Sequence, residues 1–115
     1  MEIRNELNIN GNGTRLYCDD NWNYHAPHHF TVKRDNEELC KIHLQEGPIK
    51  EVGVNGVRDE DLLTIVLTRL EAFQASEFKC TENQEAINGI REALESLQNR
   101  TLKRYSKNIE GTSEV

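Results

Sequence analysis

Two patterns in the sequence predict an α+β fold. From His28 to Gln45 apolar and polar residues alternate with a period of two, as paired strands require. From Arg58 onward the apolar residues recur at helical spacing. The switch happens once, so the expected architecture is a small N-terminal antiparallel β-sheet followed by a two-helix antiparallel hairpin. A length of 115 residues suits a single domain. Within it, residues 1–57 form the arm and sheet, and residues 58–115 the helical hairpin and C-terminal tail.

Residues 1–27 are polar and rich in asparagine, with "NGNG" and "CDDNWNYHAP". They read as loops, an arm, or one short strand around Thr14 to Tyr17. In "HHFTVKR", Phe30 and Val32 share one face, and Thr31 and Lys33 the other. After the polar "DNEE", Cys40, Ile42 and Leu44 alternate with Lys41, His43 and Gln45. Two such runs across a short polar turn predict a β-hairpin. "PIKEVGVNGV" predicts a third strand, with Val52 and Val54 in phase and "NG" as a turn.

The first helix takes "RDEDLLTIVLTRLEAFQ", where Leu62, Leu63, Val66, Leu67, Leu70 and Phe73 keep helical spacing. Asp59 is the expected N-cap, with Glu60 and Asp61 set against the positive end of the helix dipole. "ASEFKC" breaks this helix, and Thr81 with Gln84 offers a capping box for a second. Ala86, Ile87, Ile90, Leu94 and Leu97 line one stripe of that helix. It is expected to run to about Lys107, roughly 40 Å at 1.5 Å per residue, with Gly111 suited to a closing turn. Gly89 carries an intrinsic helix cost that close helix approach would offset. A chain this short buries a thin core, and the long helix lacks cover. Its apolar stripe is therefore expected to pack on a second copy, in a dimer or hexamer.

The net charge of −6 argues against binding DNA or RNA polymers, which needs an extended basic face. It leaves room for a small anion held by local cations. Cys18, Cys40 and Cys80 are odd in number and widely spaced, so a reducing cytoplasm fits better than a disulfide framework. The charged start "MEIRNELNIN" predicts no secretory leader, and no apolar run reaches membrane-spanning length.

The cations concentrate in "NRTLKRYSKN". Arg100, Arg104 and Lys107 share a helix face at i, i+4 and i+7, while Lys103 points elsewhere. Cations in the last turns of a helix can simply complement its dipole. Arginines at this spacing can also fork onto phosphates and stack on a base. Phe73 and Phe78 lie at the end of the first helix and in the connection, and Asn83 is suited to a base edge or ribose. An aromatic, an amide and two arginines are the parts of an adenine-nucleotide pocket. Asn83 and Arg100 are 17 residues apart on one helix, about 25 Å, so these parts converge only if another subunit packs antiparallel.

"HAPHH" sets His25, His28 and His29 at H-x-x-H spacing. Without a fitting carboxylate or cysteine set, a solvated loop is the reading and no metal is assigned. Trp22 and Tyr24 nearby could cover a neighbour. Arg58 reads as surface, and Arg69 could reach an interface carboxylate or a phosphate. There is no nucleophile–base pair and no glycine-rich phosphate loop, so neither catalytic residues nor a cofactor are expected. Three rivals stand beside a binder of a small anion: an oligomeric structural or interaction protein, an enzyme that degrades a signal, and a small nucleic-acid binder using the C-terminal helix, which the net charge disfavours.

The segment from Asn55 to Thr112 resembles the helical-hairpin domain of small phage immune-evasion proteins. The resemblance lies in "RLEAFQ" ending the first helix, C-x-E-N-x-x-A-I opening the second, then AL-x-x-L-x-x-R-T-x-x-R and a closing G-T. Two groups share this hairpin, the phage Thoeris anti-defence sponges and the phage anti-CBASS sponges. The strand-like residues 28–55 are similar to the first group, which carries a sheet before the hairpin. The resemblance implies a non-enzymatic protein of the host bacterial cytoplasm. It implies sequestration of glycosidic cyclic ADP-ribose isomers made by host TIR-domain proteins, without cleavage. It further implies dimers, or hexamers built from dimers that hold cyclic oligonucleotides in separate pockets. By the same resemblance Phe73 would stack on adenine, Asn83 would hydrogen-bond the ligand, and Arg100 and Arg104 would hold its ring and phosphates.

Overall fold

The computed structural model describes residues 2–3 and 13–106. The elements are β1 (Glu2–Ile3), β2 (Thr14–Cys18), β3 (His29–Arg34), β4 (Glu37–His43), α1 (Ile49–Val52), α2 (Asp59–Gln74) and α3 (Thr81–Ser106). They fall into two compact units that meet in sequence between Val57 and Arg58. The expected α+β order of sheet then helical hairpin is present. The expected helix end at Lys107 and the turn at Gly111 lie outside the described residues.

The sheet runs β1-β2-β3-β4, antiparallel throughout. The N-terminal segment thus supplies two strands rather than the one expected. Pairing sets Leu16 opposite Val32, Cys18 opposite Phe30, and Phe30 opposite Ile42. Because side chains alternate across a strand, these apolar residues share one face. Arg15, Tyr17, Thr31, Lys33, Lys41, His29 and His43 take the other, where Lys33 lies 5.6 Å from the Tyr17 ring centroid. A two-residue turn, Asp35–Asn36, joins β3 and β4, with Asp35 left-handed at φ 55°. Past this turn the register shifts. Lys33 faces Glu38 but Val32 faces Cys40, so Leu39 is an extra, bulged residue.

The predicted third strand at residues 48–57 is replaced by one helical turn, Ile49–Val52, and a looped return. Pro48 opens the turn and Gly53 closes it at φ 78°. Side chains then do what a strand neighbour would have done. Gln45 Nε2 donates to the Gly47 and Gly53 carbonyls, and Gln45 Oε1 accepts from the Asn55 N–H. Asn55 in turn accepts from the Glu46 N–H at 2.8 Å and donates to the Glu46 carbonyl at 2.7 Å. Strand-like pairing survives at a parallel bridge between Leu44 and Val57. Gly56 sits so close to this bridge that an added Cβ would lie 2.6 Å from the His43 carbonyl oxygen.

In the helical unit, the cap of α2 falls one residue before Asp59, the cap the sequence suggests. Arg58 holds the cap position, and the Asp61 carboxylate accepts its backbone N–H at 2.8 Å. Asp59 is already helical. Thr81 is likewise the first residue of α3 rather than its cap. Gln84 donates its side-chain amide to Asn88 Oδ1. Gln74 organises the helix-helix turn, accepting from the Cys80 N–H and donating to the Cys80 carbonyl, both at 2.9 Å. An Arg91–Glu71 ion pair at 2.7 Å ties the two helices together. Gly89 is not explained by close approach, since an added Cβ would meet nothing within 4 Å among the described residues.

Candidate ligand site on the helical hairpin

Within the helical unit, α2 carries two apolar stripes. Leu63, Leu67, Leu70 and Gln74 recur at i, i+4, i+7 and i+11 and are half-buried. Ile65, Val66 and Phe73 follow a second face and are exposed. On α3 the stripe Asn83, Ile87, Ile90, Leu94, Leu97, Thr101 and Arg104 is buried or half-buried throughout. Ile87, at 3% exposure, is the buried apolar residue of this unit among the described residues.

Phe73 and Asn83 therefore lie at the turn end of the hairpin. Phe73 is the penultimate residue of α2, and Asn83 the third residue of α3. The turn between them is tightly bonded. Ser76 Oγ donates to the Phe73 carbonyl at 2.6 Å and accepts from the Phe78 N–H at 3.1 Å. Phe73 thus stands half-exposed at a tightly bonded helix end.

Arg100 and Arg104 occupy the last turns of α3, at the opposite end. Seventeen residues of helix separate Arg100 from Asn83, about 25 Å of rise. One chain does not bring the four residues together. Among the described residues, neither arginine has an acidic partner. Lys107 lies outside the described residues.

Arg69 is a further group at the turn end, beyond the four that residue type and resemblance single out. Its guanidinium carbon lies 5.4 Å from the Phe73 ring centroid, a cation–π contact. The signal was the i, i+4 spacing of Arg69 and Phe73. The contact adds positive charge beside the exposed Phe73 ring.

The histidines of "HAPHH" do not gather. His25 lies in a left-handed loop at φ 73°. His28 is buried rather than solvated, its Nε2 2.5 Å from the Asn23 carbonyl. His29 belongs to β3 and stacks on His43 of β4, with ring centroids 4.1 Å apart. Asp19 anchors this corner by accepting from the His28 and His29 N–H groups. Partial burial works to raise its carboxyl, but these backbone bonds outweigh that and hold it below the ordinary aspartate value. No helix among the described residues is long and apolar enough to cross a membrane.

Comparison with known proteins matches this architecture. Residues 35–101 fit the family described as "Acb2/Tad1, hairpin domain". Over 98% of its length the chain is 38% identical to "Thoeris anti-defense 1" of Bacillus phage SBSphiJ7, covering 98% of that protein. The chain belongs to the family of phage anti-defence proteins that carry the Acb2/Tad1 hairpin domain.

Proposed function

We propose that this protein binds and sequesters cyclic ADP-ribose isomers in the host bacterial cytoplasm without cleaving them. Phe73 stacks on the adenine, Asn83 hydrogen-bonds the ligand, and Arg100 and Arg104 hold its ring and phosphates. The pocket forms between copies, in a dimer or a hexamer of three dimers. In the hexamer, cyclic oligonucleotides occupy separate pockets.

The observation that carries this reading is the separation of the site's two halves. Phe73 and Asn83 sit at one end of a single hairpin, and Arg100 and Arg104 at the other. Antiparallel pairing of two copies joins each aromatic–amide half to an arginine half. The exposed Ile65 and Val66 support such pairing, because covering the half of each side chain still open to water contributes about 1 kcal/mol. A pocket that closes over phosphates also strengthens each arginine contact by excluding water.

A capture-and-release assay tests the proposal. Purified protein is mixed with the signal made by an activated TIR enzyme, unbound material is filtered away, and the protein is denatured. Intact cyclic ADP-ribose isomer in the released fraction is the expected result. Linear ADP-ribose accumulating in the filtrate above a protein-free control would mean degradation, and untouched signal there would mean no binding.

A further inference from the structure

Away from the hairpin, the sheet unit gathers three metal-ligating side chains that the sequence does not. His29 and His43 face each other across β3 and β4. Glu46 follows three residues after His43. Glu46 Oε2 lies 3.3 Å from His29 Nε2 and 3.5 Å from His43 Nε2. All three ligand atoms fall within 4.8 Å of one another.

We propose that His29, His43 and Glu46 form a binding site for a divalent transition metal of the zinc class. Four observations carry it. The first is distance. Charge-assisted N–H···O⁻ bonds are typically about 2.7–2.9 Å, shorter than either contact here. Two donors on one tetrahedral zinc, each about 2.0–2.1 Å from the metal, sit about 3.3–3.4 Å apart. The nitrogen–oxygen separations of 3.3 and 3.5 Å lie near that edge of a tetrahedron, and the two imidazoles, stacked with centroids 4.1 Å apart, need only turn on the sheet surface to aim both Nε2 atoms at one ion.

The second observation is donor chemistry. Two imidazoles and one carboxylate suit zinc and its neighbours, whereas magnesium and calcium prefer oxygen alone. The partly exposed rings leave the fourth position open to water.

The third is the support behind the ligands. Asn23 Nδ2 donates to Glu46 Oε1 at 3.1 Å and so turns Oε2 toward the rings. Asn55 bonds both the N–H and the carbonyl of Glu46. Such outer partners orient metal ligands and set their affinity.

The fourth is register. Continuing the pairing of Lys33 with Glu38 would place Ile42, not His43, opposite His29. The extra residue Leu39 moves His43 into that position. The bound metal joins β3, β4 and the loop at Glu46, tying the last strand to the segment that ends this unit.

The test uses untagged full-length protein, stripped with a chelator and titrated with Zn²⁺ against a chromophoric competitor. Thermal melts and Co²⁺ spectra run in parallel. One zinc per chain, a higher melting temperature, and a cobalt spectrum without thiolate charge transfer are expected. His43→Ala and His29→Ala should lose stoichiometric uptake while keeping their far-ultraviolet circular dichroism. Asn23→Ala should weaken uptake about tenfold or more. Cys40→Ser should bind as the parent does, because Cys40 sits on the opposite sheet face. Failure of the parent protein to take up zinc would overturn the proposal and leave a hydrogen-bonded His–Glu–His cluster. So would uptake unchanged in both histidine variants, or a thiolate signature in the cobalt spectrum.

Discussion

In the sheet unit the chain is closed by polar side chains acting on backbone. Asp19, Gln45 and Asn55 each satisfy two or more main-chain groups, and Cys18 is the buried apolar residue of this unit among those described. In the helical unit apolar stripes predominate, and one stripe of α2 is left exposed. A unit held by specific hydrogen bonds keeps its shape by geometry and is sensitive to single polar substitutions. A unit held by apolar stripes tolerates surface change but needs its open face covered. The sheet is thus defined by precise local geometry, and the hairpin by an apolar face left open.

The strongest way to break the helical side of this comparison is Ile87→Ala. It should cost about 2–5 kcal/mol in urea unfolding, since little else in the unit is buried. Next comes the sheet. Asn55→Ala removes both side-chain bonds to Glu46 and should cost about 1–3 kcal/mol. Gly56→Ala forces a Cβ onto the His43 carbonyl and should cost about 1–3 kcal/mol, read from the same unfolding curves. In contrast, Arg100→Ala should leave the melting temperature almost unchanged and weaken ligand retention by about 1.5–3 kcal/mol, measured by calorimetry.

The smallest effect is also informative. Gly89→Ala should stabilise a lone hairpin by about 0.5–1 kcal/mol, because the site is open and helix propensity improves. If another copy packs against Gly89, the same substitution should instead lower the assembled mass in analytical ultracentrifugation.

The helices were legible from periodicity alone, because α2 and α3 carry long stripes at one spacing. Both helices start one residue earlier than their cap-type residues Asp59 and Thr81 suggest, because Asp61 and Gln74 bond the backbone N–H groups of Arg58 and Cys80. Residues 48–57 resemble a strand because Val52 and Val54 alternate. The folded answer depends on Gln45 and Asn55 reaching across the loop, which no local pattern reveals. The His29–His43 pair was hidden by the Leu39 bulge, which changes the register without changing the alternation on either side. On the hairpin, Phe73, Asn83, Arg100 and Arg104 could be named from residue type and resemblance. Their separation followed from helix rise, and the Arg69–Phe73 contact from an overlooked i, i+4 spacing.

The central claim, that the pocket is shared between copies, is tested most directly by mixing two disabled variants. One carries Phe73→Ala with Asn83→Ala, and the other Arg100→Ala with Arg104→Ala. Each alone should fail to retain the cyclic ADP-ribose signal. After co-expression, a mixed dimer has one pocket with both halves intact, so retention should return in proportion to the mixed species. Retention no greater than the sum of the separate variants would contradict a shared pocket.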